Sequence, residues 1–396
     1  MLGRRGDGQV VLVTGGLPGE SVMVTVRKGP GGVLTGASDS VDVRSLPSPV
    51  RVWPPCPHVA RGCGGCDWQH IDPSAQPGFK VEAVADALRR LGKVADPLVE
   101  AGPPLPAERY RTTVRAVIDD DGRAGLRAPR SHRVVRLSDC LVAHPAVAQV
   151  LTEGRFPDCS EVTVRTSVST GTVIVVADRG DRAEGGVHEI EVPNGVIVAD
   201  RRDNSPPSFT EEILGSVLRV SAPSFFQSRA DGAAVLVETV ADLAGDVLSG
   251  NARMADLYCG VGLFGATLGA RFGLAEIVGV EWNVWSAADA RHNLALVGGA
   301  VIAGDAGAWR GHDVDLVVAD PSRSGLQAAG VEAVSSAGPE VVVLVSCDAG
   351  ALGRDARLLQ NSGYRFDRAT VVDMFPHTHH VEVVSRFVRT AGRVNR

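Results

Sequence analysis

Through the first 220 positions apolar and polar residues mostly alternate with a period of two, and beyond about 230 the rhythm lengthens to alternating strands and helices. Residues 8–47 carry the short alternating runs "QVVLVTG", "ESVMVTVRK" and "VDVRSL", separated by "GLPGE" and "KGPGG" turns, which predicts a small β-barrel. In "FKVEAVADALRRLG" the apolar positions Val81, Val84, Leu88 and Leu91 recur at helical spacing and a glycine closes the run. A proline-rich linker, "GPPLPAERY", follows. Strands are then predicted at "RTTVRAVID", "RVVRL", "EVTVRTSVS", "TVIVVADR", "GVIVAD" and "SVLRVS", a second β-rich unit. After residue 230 come the helix "ADGAAVLVETVADLAG", strands "MADLYCG" and "EIVGVEW", helix "SAADARHNLALVG", strands "DLVVAD" and "EVVVLVSCD", and helix "ALGRDARLLQNSG". That order predicts a parallel, doubly wound sheet. Three domains are expected, at 1–50, 51–222 and 223–396.

Composition narrows the class. A chain of 396 residues with 44% hydrophobic residues can bury more than one core. No apolar run approaches the roughly 20 residues that span a bilayer, and "MLGRRGDGQVVLV" has no signal-peptide core, so a cytoplasmic protein without membrane association is expected. Its seven cysteines are then thiols, and their uneven clustering argues for metal binding or catalysis rather than a disulfide framework. "CPHVARGCGGCDWQH" (56–70) gathers three of them with two histidines, a loop suited to a metal ion or an iron-sulfur cluster. The net charge of −6 predicts no global affinity for nucleic acid. Eight arginines between Arg109 and Arg136 nevertheless form a stripe that would hold a polyanion, or a solvated strand face in a chain that prefers arginine to lysine.

The chemistry sits in the last third. "DLYCGVGLFG" (256–265) reads as a strand entering a glycine-rich turn before a helix, the place where open α/β sheets bind cofactors, and Gly260 and Gly262 let backbone approach a ligand. About one βαβ unit later Glu281 ends a strand, where it would accept both hydroxyls of a ribose; with no phosphate-gripping lysine nearby, this points to S-adenosylmethionine. Asp320 and Cys347 each follow an apolar run at a strand's exit, and Glu382 is expected just inside a third strand. Parallel strands end on one edge, so these groups would share the crevice of the glycine turn. Cys259 and Cys159 read as structural.

The ordered set "FFQ" (225–227), "DLYCGVG", "DPSRSG", "VSCD" and "FPHTHHVE" resembles the RNA uracil-5-methyltransferase family over nearly the whole chain. The segment "LVTGGLPGESVMVTV" is similar to the TRAM domain, an OB-like RNA-binding barrel, whose usual first strand is missing here or lies upstream of the given start. The resemblance implies a multidomain enzyme: OB-like barrel, central β-rich iron-sulfur domain and C-terminal Rossmann-like class I methyltransferase domain. It implies Cys347 as the nucleophile that adds to uridine C6 and Glu382 as the base that removes the C5 proton. Gln227 and Asp320 would hold cofactor and target base, and Tyr258, Glu281 and Asp305 the cofactor. Cys56, Cys63, Cys66 and the distant Cys140 would ligate a [4Fe-4S] cluster, with zinc on the same thiolates as the rival. The partner is RNA, 23S ribosomal RNA or the tRNA T-loop, and the chain is expected to act as a monomer.

Departures from the family pattern are Asp348 and Ala349 after the nucleophile, Ser322 in "DPSR", and "SRA" after "FFQ". Two other classes stay open: an RNA-binding iron-sulfur protein without turnover, and a class I methyltransferase acting on another carbon.

Overall fold

The structure, a computed structural model, describes residues 2–41, 46–180 and 189–390. At the N-terminus β1 (Leu2–Arg4), β2 (Val10–Thr14), β3 (Val22–Lys28) and β4 (Leu34–Val41) form one sheet in the order β1-β2-β4-β3. β4 follows the expected KGPGG turn in a stretch where no strand was expected, and the strand expected at 41–46 falls largely outside the described residues. Its "LTGASDSV" has little strand propensity but is paired on both sides, parallel to β2 and antiparallel to β3. Gly36 permits this approach, since a Cβ there would stand 2.3 Å from Val24 Cγ1 and 2.7 Å from the Thr25 carbonyl oxygen. A two-pronged ion pair, Arg51 Nε to Glu20 Oε1 at 2.5 Å and Nη2 to Oε2 at 2.6 Å, ties this sheet to the loop that follows.

The cysteine loop contains a single helical turn, α1 (Pro57–Ala60), and leads into α2 (Gln76–Arg90) and the short strand β5 (Val99–Ala101). Val84 and Leu88 of α2 are fully buried as expected, whereas Leu91 is exposed. Next comes a six-stranded sheet of β6 (Thr113–Ile118), β7 (Ala124–Arg127), β8 (Val134–Arg136), β9 (Glu161–Thr166), β10 (Val173–Asp178) and β11 (Ile197–Asp200), in the order β11-β10-β9-β6-β7-β8. Helix α3 (Pro145–Glu153) closes its core around Leu151, Phe156, Val162 and Val164. The hairpin β12 (Ser208–Ile213) and β13 (Ser216–Ser221) completes the β-rich region.

The remaining elements alternate: α4 (Ala230–Ala244), β14 (Arg253–Leu257), α5 (Leu263–Phe272), β15 (Glu276–Glu281), α6 (Val284–Ala295), β16 (Ala300–Ala303), β17 (Leu316–Ala319), α7 (Gln327–Ala337), β18 (Val341–Ser346), α8 (Ala349–Asn361), β19 (Tyr364–Val371) and β20 (Val383–Arg389). They build an eight-stranded sheet, β16-β15-β14-β17-β18-β20-β19-β5. The strands from β16 to β18 are parallel, and β20 runs antiparallel to β18. Helices α4, α5 and α6 cover one face and α2, α7 and α8 the other.

The expected boundary at 222/223 does not divide the packing. Val84 and Leu88 of α2 join the core under α7 and α8, β5 pairs with β19, and Phe209, Ile213 and Leu218 of the β12–β13 hairpin are buried with α4. An apolar face must be covered by whichever element offers the complementary one, and these segments, upstream in sequence, supply it. Among the described residues no helix is long and apolar enough to cross a membrane.

Candidate functional site

A cleft of about 890 Å³ opens at the carboxyl ends of the parallel strands. Tyr258 and Gly260, directly after β14, both hold positive φ (60° and 55°), which turns the chain sharply along the cleft. Glu281, the last residue of β15, accepts the Gly260 N–H through Oε2 at 3.0 Å and the Asn283 N–H through Oε1 at 2.7 Å, so the acidic strand end and the glycine turn are locked together. Asp305, after β16, accepts the Gly307 N–H at 2.9 Å. Asp320 follows β17 and Cys347 follows β18, both facing the cleft. Gln227 Nε2 reaches Asp320 Oδ2 at 3.4 Å.

Glu382 also lines the cleft, but by another route than expected. It lies one residue before β20, not inside a strand, and β20 is antiparallel to its neighbour. A parallel strand's end and an antiparallel strand's beginning share one sheet edge, which brings Glu382 to the side of Cys347. Gly262 is the expected cofactor residue that does not border the cleft; a Cβ there would come 2.2 Å from Leu294 Cδ1, so this glycine serves the packing of α5 on α6.

The electrostatics follow from crowding. Burial, with Asp320 beside it, raises Glu382 well above the usual carboxylate range. Burial, then Glu382 and Asp320, push the Cys347 thiol up to about 11, and Arg323 at the cleft wall opposes them. Asp320 is raised to about 7 by burial. Asp256 beneath the glycine turn, fully buried, is also raised to about 7; its Oδ2 accepts the Gly265 N–H at 2.9 Å and its Oδ1 has no partner among the described residues. Asp348 caps α8 by accepting the Ala351 N–H at 2.7 Å, and His379 pairs with Asp67 at 2.7 Å, so neither residue borders the cleft beside Cys347.

Asp289 and Arg165 beside the cleft were not anticipated. Asp289 accepts the Ser221 N–H at 2.7 Å and the Ser221 and Ser224 hydroxyls at 2.8 and 2.6 Å. Buried Arg165 donates to the carbonyl oxygens of Ser221, Ala222 and Ser224 at 3.2, 2.8 and 2.7 Å. Together they fix the turn that presents Phe225, Phe226 and Gln227. Phe225 and Trp282 stand exposed on the cleft's lining, two aromatic surfaces facing solvent. Aromatic residues beside an acidic strand end were a legible signal for a nucleobase.

Cys56, Cys63, Cys66 and Cys140 line a second cavity, and Cys159 is buried elsewhere in the central core. Burial pushes Cys66 up to about 12 and also raises Cys63 and Cys140. His58 Nε2 accepts the Ser138 N–H at 3.0 Å, which leaves the ring proton on Nδ1, 3.4 Å from Cys56 Sγ. Asp139 borders the cavity but is held by Arg109 at 2.6 and 2.7 Å. Gly65 is needed because a Cβ would lie 2.8 Å from Leu126 Cδ1. Among the described residues no three Cys, His, Asp or Glu side chains converge on a point where one metal ion could sit.

Four of the eight arginines of the stripe are paired with carboxylates. Arg109 pairs with Asp139, Arg115 and Arg127 with Glu161, and Arg136 with Asp119 and Asp121. Arg111 borders both the cleft and the thiol cavity.

An α/β sheet with its glycine turn, acidic strand ends and cleft at the carboxyl edge defines a class I methyltransferase-like fold. No family model matches the chain. It is 34% identical to an uncharacterized RNA methyltransferase of Streptomyces avermitilis over 97% of this chain and 94% of that one. To an uncharacterized RNA methyltransferase of Streptomyces coelicolor it is 35% identical, over 97% and 89%. In fold it is similar to the Pyrococcus abyssi tRNA (uracil-54, C5)-methyltransferase crystallised with S-adenosyl-L-homocysteine, with a TM-score of 0.72, 23% identity, and coverage of 98% of this chain and 100% of that one. The chain belongs to the RNA methyltransferases, and it is an enzyme of that family.

Proposed function

We propose that this RNA methyltransferase transfers a methyl group from S-adenosylmethionine to C5 of a uridine in RNA, with Cys347 as nucleophile and Glu382 as base. The observation that carries the reading is the meeting of Cys347, Glu382, Asp320 and Gln227 in one cleft. S-adenosylmethionine supplies an electrophilic methyl on a sulfonium whose charge offsets the carboxylates. The residues fit it: Glu281 and Asp305 stand at successive strand ends, Tyr258 and Gly260 turn beside them, and Trp282 offers a ring. Cys347 first gives up its thiol proton to solvent and, as a thiolate, bonds to uridine C6, and the C5–C6 π pair moves into the enolate. C5 then bonds to the methyl carbon as the sulfur–methyl bond breaks. Glu382 takes the C5 proton, the C5–H pair restores the double bond, and the C6–S bond breaks to release Cys347. Because Glu382 is raised by burial, it is a strong base once ionised.

The thiol cavity is read as the seat of a [4Fe-4S] cluster held by Cys56, Cys63, Cys66 and Cys140. All four donors are soft thiols, the bordering carboxylate is engaged elsewhere, and His58 offers an N–H to one sulfur. Zinc on the same four thiolates is the rival reading. The N-terminal sheet is read as the TRAM-like RNA-contacting unit. The target is read as 23S ribosomal RNA from the motifs. Similarity in fold to the Pyrococcus abyssi enzyme supports the tRNA T-loop as the second reading.

RNA carrying 5-fluorouridine tests the mechanism, because its C5 substituent cannot leave as a cation. The wild type should form an adduct stable to a denaturing gel, and Cys347→Ala should form none while still binding S-adenosylmethionine. With ordinary RNA, Glu382→Gln should accumulate a methylated adduct. Normal turnover by Glu382→Gln would remove that residue from the role of base, and absence of any wild-type adduct would overturn the covalent route.

A further inference from the structure

Between β19 and β20 the chain from Asp373 to His380 delivers Glu382 to the cleft with little regular structure of its own. Most of its fastenings come from one distant stretch of chain, and the Tyr110 hydroxyl adds one to the Pro376 carbonyl at 3.2 Å. Lys80 Nζ, fully buried on α2, lies 2.6 Å from Asp373 Oδ1 and 3.0 Å from the Phe375 carbonyl oxygen, and 5.7 Å from the centroid of the Trp68 ring. Gln76 Oε1 accepts the His377 N–H at 2.6 Å while its Nε2 donates to the Ile71 carbonyl at 2.9 Å. The Trp68 N–H donates to the His377 carbonyl at 2.8 Å. Asp67, adjacent to Cys66, accepts the His379 N–H at 3.2 Å. Beside this clamp the Val372 N–H donates to the Glu382 carbonyl at 2.8 Å, so the backbone of the base is tied to the residue preceding Asp373.

A buried ammonium is retained only where its donors are used, and apolar packing would stabilise a core as well. Lysine is rare in this chain, with Lys28, Lys80 and Lys93 set against an arginine-dominated total of 40 basic residues. A compact cation with separately aimed donors suits a carboxylate, a carbonyl and a ring at once, which a planar guanidinium does not. We propose that Lys80 and Gln76 are positioning residues for Glu382: through Asp373, Phe375 and His377 they set where that carboxylate stands, and they make the loop bearing Cys56, Cys63 and Cys66 part of the same rigid unit. The inference rests on the proposed role of Glu382.

The test uses the full chain with its metal site loaded, S-adenosylmethionine and uridine-containing RNA. Lys80→Met should keep the affinities for S-adenosylmethionine and RNA within about twofold. Its kcat should fall by on the order of tenfold to a hundredfold, the scale expected when a catalytic group is misplaced by about an ångström. A methylated, covalently joined enzyme–RNA species should accumulate, which a merely structural defect would not produce. Gln76→Met should do the same more weakly, and it decides the matter should Lys80→Met not fold. Release of product at the wild-type rate by both variants overturns the inference, as does loss of activity with no trapped species. A wild type that neither methylates RNA nor is trapped by 5-fluorouridine RNA overturns the underlying reading instead.

Discussion

Three buried carboxyl groups and a thiol share the space around one sheet edge, and their protons are part of the fold. Asp256 and Asp320 are raised to about 7 and Glu382 beyond the usual range, in each case by burial before any neighbour. A folded carboxyl with a raised pKa holds a proton that the unfolded chain, with pKa near 4, has already released. Its contribution is therefore complete below about pH 4 and declines as pH climbs toward the folded value of about 7. Asp256→Asn removes one such group while keeping an oxygen for the Gly265 N–H. Thermal melts of the ligand-free protein between pH 5.5 and 8 should show the wild type losing a few degrees of Tm with rising pH. The variant should show a shallower decline and a higher Tm than wild type at pH 8; equal slopes would mean that Asp256 does not carry this dependence.

At the scale of elements, the turn at 221–224 shows how an α-helix and a strand from different sheets cooperate. Asp289 on α6 and Arg165 on β9 grip its two sides. Asp289→Ala removes bonds to a charged acceptor and leaves two hydroxyls unpaired, a loss of about 2–3 kcal/mol in chemical denaturation. RNA affinity should fall with it, because Phe225 and Gln227 lose their seat. Denaturation midpoints matching wild type would show the grip to be dispensable. Neither residue was legible as important in the sequence, since each partner lies tens of residues away. The strand exits were legible because each apolar run stops at a polar residue, as at Asp320 and Cys347. Helices α5 and α7 are buried against the sheet with little polar contrast, so their period was faint. β19, "YRFDRATV", alternates well enough to have been read, and its omission is what made β20 look like another parallel strand. Lys80 and Gln76 sit at buried positions of a helix whose polar residues otherwise mark the solvent face.

Across the whole molecule the loop at 56–66 and Cys140 of the central region meet around one cavity lined by four cysteines. Protein purified without oxygen should be brown and carry about four iron and four sulfide per chain, the content of one [4Fe-4S] cluster. Cys140→Ala should lose that iron and Cys159→Ala should keep it, measured by metal analysis and visible absorption. Colourless protein with one zinc would replace the cluster by a structural ion. The thiols raised by burial must shed protons on binding, so retention of the metal should weaken toward acid.

The passage of α2 and β5 into the C-terminal sheet bears on how the chain is made. Lys80 and Asp373 are 293 residues apart, and at roughly 5–20 residues per second the ribosome needs tens of seconds to travel between them. For most of that interval α2 has its apolar stripe of Val84 and Leu88 finished and lacks α8 to lay it against, and β5 has no partner strand. The upstream sheets can close during synthesis, but the catalytic half cannot close until the last strands, β19 and β20, emerge. A nascent chain stalled before residue 349 would thus present that stripe to solvent, a surface on which a chaperone of the exit tunnel would find its hold.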